Sequence, residues 1–196
     1  MELVEGIVTV EDVDDFVERL GAIGDEHSVT VQAFDARYVV DRTHLERAVE
    51  LADRAIARGE NVARDRAVEI LCYAAGRRQI ERALTMGVPA GETPAVVLVD
   101  AGLDDESDGG DVDDGGEVDA GGGVDTGGEV NAGTAEGAAV ETLRSMHALD
   151  PASTLGEYDP ERVREFFDVG EGELAVVDGN LPTLVHERVA LLDVEK

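Results

Sequence analysis

What this chain has little of narrows the possibilities first. Its single cysteine, Cys72, rules out an intrachain disulfide or a cysteine-built zinc cluster. It lies in the apolar run Ile70–Ala75, where it reads as core rather than nucleophile. No stretch reaches the roughly 18 apolar residues of a spanning helix, and the N-terminus has no signal-peptide pattern. The chain therefore reads as soluble and cytoplasmic, without a membrane partner. Basic residues are few: 16 against 45 acidic ones, and the only lysine is Lys196. There is no GxxxxGK[ST], no GxGxxG after a strand, no HExxH and no GxSxG. The four histidines, His27, His44, His147 and His186, are dispersed and form no local metal cluster. Nothing assembles a nucleophile, a base and an oxyanion donor, so the chain reads as non-catalytic, with no cofactor and no metal.

What is present supports a folded domain. A 43% hydrophobic content over 196 residues suits one domain spanning the whole chain, although aromatics make up only 4%. A net charge of −29, with arginine in place of lysine, is the composition of a halophile-like, archaeal-type protein. Carboxylates hold a hydration shell and keep such a chain soluble where repulsion is screened. A nucleic-acid partner would then need a locally cationic site.

Along the chain, Leu3 to Val10 is rich in β-branched residues and predicts a strand. Thr9 then caps a helix with Val13, Phe16, Val17 and Leu20 inward, closed by Gly21. Ser28 to Phe34 alternates as a second strand, which Tyr38 to Val40 extends. Thr43-His44-Leu45-Glu46 has the form of a capping box and opens a helix that ends at Gly59. Its predicted apolar stripe is Leu45, Ala48, Val49, Ala52, Ala55 and Ile56. Pro94 to Val99 is a continuous apolar run typical of a buried strand.

Composition changes abruptly over 101–139, which holds twelve glycines, twelve acids, no basic residue and no aromatic. Hexapeptide copies place Val112, Val118, Val124 and Val130 at matching positions. One valine per copy cannot offset chain entropy, so the segment reads as a disordered acidic insertion, with weak calcium binding as the alternative. Beyond it, a helix is expected from Ala139 to His147, with Val140, Leu143 and Met146 inward. Asp159-Pro160-Glu161 starts another, with Val163, Phe166 and Phe167 on its apolar side. Glu173 to Val177 reads as a strand and Asn180 to Leu192 as a final amphipathic helix.

The segment Asn61 to Gly87 organises the rest. It predicts two helical runs hinged at Gly76, a residue that enters left-handed geometry without a Cβ clash. Ala67, Ile70, Leu71, Ala74 and Ala75 form the first apolar stripe, and Ile80, Ala83 and Leu84 the second. Arg77, Arg78 and Gln79 open the second run and invert the local field of an acidic chain. The plain alternative is a surface arginine pair bonded to Glu69 or Glu81. His44 is either an inconsequential surface residue or a donor lining a site. Tyr73 and Met86 exceed what one buried stripe requires and are expected outside it, as partner contacts.

Taken together, QAFDARYVVDRTHLERAVELADRA, AVEILCYAAGRRQIERALTMG, PAVVLV and LVHERVALL resemble one family. It is the family of the kinase-binding subunit of the KEOPS tRNA-modification complex, the PRPK-binding proteins. The resemblance spans nearly all of the chain except the insertion, and its most specific parts are the Gly-Arg-Arg-Gln-Ile junction and the HERVALL ending. It implies an α+β fold with helices on a mixed sheet. It also implies a non-catalytic role: binding the small atypical kinase/ATPase subunit and capturing the tRNA 3′ CCA end. KEOPS thereby supports threonylcarbamoyl-adenosine formation beside the anticodon. Arg77, Arg78, Gln79 and, in a matching segment, His44 are the RNA-contact candidates. Two other readings are a small-molecule-binding or enzymatic α+β domain with an unadvertised pocket, and an adaptor that touches protein alone.

Overall fold

Strand β3, Gly91–Asp100, explains its unbroken apolar run by being buried on both faces. Ala95, Val97 and Val99 point to one side, and Val96 and Leu98 to the other. The computed structural model describes residues 1–102 and 132–194. In it, β3 lies between β1 (Glu2–Val10) and β2 (Thr30–Asp35), and the short β4 (Leu149–Pro151) pairs with the far side of β1. The α+β class is as the sequence predicts. All three strand pairings are antiparallel, so the sheet is not the mixed one that the resemblance implied. β4 has no distinctive sequence signal. It fits because Gly6 leaves room for it: a Cβ there would sit 2.6 Å from the Asp150 carbonyl oxygen.

Helices cover both faces. On one side α1 (Val13–His27) packs Phe16, Leu20 and Ile23 against Val4, Val8, Val31 and Val97, joined by α5 (Ala132–Arg144). On the other, α2 (Arg42–Arg58), α3 (Arg66–Ala74) and α8 (Leu181–Val194) enclose Phe34, Val96 and Leu98. The short helices α4 (Ile80–Ala83), α6 (Pro160–Phe166) and α7 (Glu171–Val176) complete this layer.

Several expectations give way to better local chemistry. Asp12, not Thr9, caps α1, accepting from the backbone N–H groups of Asp14 and Asp15. Helix α1 also runs through Gly21. An internal glycine costs about 1 kcal/mol, but burying Ile23 beyond it returns roughly 2 kcal/mol. Val13 and Val17, expected inward, are exposed. Asp41 caps α2 through the His44 N–H, while Glu46 pairs with Arg42 instead of reaching back. Ile56, at the end of the stripe, is also exposed. Residues 36–38 form a 3₁₀ turn instead of extending β2. Glu173–Val177 contributes to α7 and is not a strand: the Glu173 carboxylate accepts from the Gly170 N–H, which closes a helical turn.

The boundary of the expected insertion also moves. Helix α5 starts at Ala132, with Ala135, Glu136 and Ala139 buried, so 132–139 belong to the fold. Glu136 accepts the Ala101 N–H at 3.0 Å, which joins the end of β3 to this helix. The rest of the predicted insertion, with its hexapeptide copies, lies outside the described residues. Among the described residues no helix is long and apolar enough to cross a membrane.

Candidate nucleic-acid interface

The junction after α3 is built by backbone hydrogen bonds. Gly76 N–H donates to Tyr73 C=O and Arg77 N–H to Cys72 C=O, the paired bonds of a Schellman turn. That turn requires the left-handed φ of 58° found at Gly76. A Cβ there would also press to 3.4 Å from the Arg188 carbonyl oxygen, because α8 runs directly behind. Gly76 thus turns the chain as expected and sends Arg77 away from the core.

Arg77 does not pair with Glu69 or Glu81. Its guanidinium donates to the Phe166 carbonyl and, at 2.8 Å, to Asp168, across 89 and 91 residues of sequence. Glu69 is buried and already occupied by the N–H groups of Val62 and Ala63. The Arg77 guanidinium carbon also stands 5.7 Å from the centre of the Phe166 ring. Phe166 meets Tyr38 edge-on at 5.1 Å, and Arg162 stands over Tyr38 at 5.4 Å. The order Arg77, Phe166, Tyr38, Arg162 is an alternating ridge of cations and rings. Tyr38, Arg37 and Arg162 then line an open cleft of about 410 Å³ with Val13, Leu84 and Pro89. The Arg77 hydrogen bond holds the Asp168 carboxyl below the usual range, and the charges of Arg82 and Arg188 add to this.

The other candidates separate. Arg78 and Gln79 are exposed, and Arg78, which has no ion pair among the described residues, lines a separate small pocket with Glu60, Glu69 and Leu192. His44 is fully buried, so its ring faces neither solvent nor a ligand. It donates through Nε2 to the Ala74 carbonyl at 2.7 Å, which fixes its tautomer, and meets Phe167 edge-on. Burial lowers the imidazole to about 4, with His186 adding to the shift and Ala74 and Asp41 opposing it. His44 therefore supports the last turn of α3, directly ahead of the arginine pair. Tyr73 and Met86 are buried rather than outside the stripe. Tyr73 packs in the core with its hydroxyl 3.5 Å from Asp193, and Met86 fills the turn after α4. The apolar side chains that do reach solvent nearby are Ile80 and Leu84, both predicted inward.

Sequence reasoning missed Tyr38, Phe166, Arg162 and Asp168. For Phe166, Arg162 and Asp168 the only signal was the aromatic and arginine content of the segment after Pro160, which does not reveal that it folds back on residue 77 and on Tyr38. Burial together with Glu69 raises the Cys72 thiol to about 11, so it stays protonated at neutral pH. Among the described residues no three His, Cys, Asp or Glu side chains gather to hold a metal.

No curated protein matches the chain. The family model for the kinase-binding protein CGI-121 matches residues 8–193, from β1 into the last turns of α8. The chain belongs to that family, the kinase-binding subunits of KEOPS.

Proposed function

We propose that this chain is a non-catalytic KEOPS subunit that binds the kinase/ATPase subunit and captures the single-stranded CCA end of tRNA, in support of threonylcarbamoyl-adenosine formation. The observation that carries the RNA half of this reading is the Arg77–Phe166–Tyr38–Arg162 ridge. A chain of net charge −29 cannot draw in RNA through its overall field. At roughly molar salt the Debye length is about 3 Å, and counterion release contributes little. Capture must then rest on short-range contacts, namely guanidinium forks on phosphates and on base faces. Both suit unstacked nucleotides better than a duplex. Arg77 and Arg162 are already held over rings, so less side-chain freedom is lost on binding.

The test compares intact tRNA with tRNA lacking CCA, by fluorescence anisotropy at one fixed high salt. Intact tRNA is expected to bind at least tenfold more tightly. Equal binding of the two would remove CCA capture from this reading. Kinase binding without any tRNA binding would leave an adaptor that touches protein alone.

A further inference from the structure

Four carboxylates lie against the arginines of the ridge and its surroundings, and three of them are built into the backbone. Asp35 accepts from the Arg37 N–H and is buried beneath the Arg37 guanidinium. Asp159 caps α6, accepting from the N–H groups of Glu161 and Arg162. Glu173 accepts the Gly170 N–H while it pairs with Arg188. Asp168 differs. Among the described residues its carboxylate accepts no backbone N–H; it meets Arg77 Nη2 at 2.8 Å and is otherwise 76% exposed. The positive charges of Arg82 and Arg188 also act on it. Its left-handed φ of 52° suits asparagine as well as aspartate, so the backbone gives no reason for the acid. An ion pair this exposed contributes little to stability.

We infer that the Asp168 carboxylate stands in for a phosphate: it occupies the place on Arg77 where a backbone phosphate of single-stranded RNA binds, and RNA displaces it. This rests on the RNA-capture reading above. A carboxylate and a phosphate oxygen make the same charge-assisted bond with a guanidinium N–H, so the two compete for one position. Displacement costs the chain little, because the carboxylate is already mostly hydrated and leaves no other partner behind. Arg77 stays in place when it goes. The same nitrogen donates to the Phe166 carbonyl, and the guanidinium stands over the Phe166 ring. The device also selects. A tethered carboxylate is present at high local concentration, so a free anion that offers nothing beyond its charge is held off. An unstacked nucleotide adds contact with the ring faces to its phosphate bond, and that surplus lets it displace Asp168.

The test measures tRNA affinity of the full-length chain by fluorescence anisotropy, at one fixed high salt where every variant is folded. Asp168→Asn is expected to bind intact tRNA at least threefold more tightly than the native chain, with a thermal midpoint no higher. In an Arg77→Gln background the same substitution should bring no gain. Glu18→Gln removes an equal charge from the exposed face of α1 and should leave affinity unchanged. A gain that persists without Arg77, or that Glu18→Gln matches, belongs to overall charge and overturns the inference. Equal or weaker binding by a folded Asp168→Asn chain makes the carboxylate a support for Arg77; that overturns the inference and leaves CCA capture standing. Failure of the native chain to prefer intact tRNA over tRNA lacking CCA removes the RNA reading, and this inference with it.

Discussion

Helix α1 and the junction after α3 lie on opposite layers of the sheet, and the one acidic chain treats them in opposite ways. Helix α1 carries Asp14, Asp15, Glu18, Asp25 and Glu26 against a single arginine, Arg19. The junction brings Arg77 and Arg82 together with Arg188 around Asp168, and Arg188 also pairs with Glu173. Both regions expose apolar surface: Val13 and Val17 in the first, Ile80 and Leu84 beside the second. Net charge therefore reports how the molecule meets its solvent. Which partner each face accepts depends on how folding sorts the few arginines. Those around Asp168 come from segments more than 80 residues apart, so their concentration is a product of the fold.

The largest expected effect concerns what holds the arginine region in place. His44 is fully buried and neutral, supporting Ala74 just before the Schellman turn. Its value of about 4 in the folded chain compares with an ordinary 6.5. As pH falls through that window the unfolded chain takes up the proton first, so stability is full above about 6.5 and drops between 6.5 and 4. The gap corresponds to roughly 3 kcal/mol at most. Urea unfolding at fixed high salt should show this slope in the native protein and lose most of it in His44→Gln, after comparison with carboxylate titration common to both. Equal slopes in the two proteins would mean that His44 is not held neutral, and the asymmetry between the regions would lose its internal support.

Next in size is the tRNA contact. Arg78→Glu should weaken tRNA binding at least tenfold, on the order of 1.4 kcal/mol, with no change in stability, because Arg78 has no ion pair among the described residues. Arg77→Glu should weaken binding similarly and also cost up to about 1 kcal/mol of stability, a figure kept small because Asp168 is largely exposed. An acid-to-arginine change on α1 that strengthened tRNA binding more than these two weaken it would show that overall field, not local sorting, controls RNA affinity.

Much of the fold could be read in the chain because its signals are local. β3, α2 with its stop at Gly59, the Asp159–Pro160 helix start and the inward face of α8 all follow from spacing and capping. Errors occur where a side chain had two possible local partners, as at Asp12 against Thr9, or where a short apolar run such as Glu173–Val177 suits either period. At the candidate site, the Gly76 turn and the two arginines were legible. The partners of Arg77 were not, since the contact with Asp168 exists only once the segment after α6 has folded back onto the turn that follows α3. Burial misled at Tyr73 and Met86. An apolar stripe gives the direction of the core but not its width, and α3 is enclosed by α2, α8 and the sheet together.

The smallest expected effect belongs to the segment between β3 and α5, and it tests whether the acidity of that segment is structural or solvent-directed. The two described ends of that segment are tied independently of it. Asp100 takes the Gly102 N–H and the Arg66 guanidinium, while Glu136 takes the Ala101 N–H. Arg66 is in turn held by both carboxylate oxygens of Asp53 on α2. Loop-closure entropy changes by only about 0.6 kcal/mol for each doubling of length. Replacing 104–130 with a short Gly/Ser linker removes eleven carboxylates and leaves α5 whole. The thermal midpoint at high salt should move by no more than a few degrees. A wider deletion through 139 should lose far more, since it takes Ala135, Glu136 and Ala139 out of the layer against β1 and β3. At low salt the shorter variant should bind tRNA slightly more tightly, because eleven long-range repulsions are gone while the ridge is untouched. If the shorter deletion unfolded the protein cooperatively, the segment would have to contribute burial that its one valine per copy gives no reason to expect, and the α1–α5 layer would depend on it.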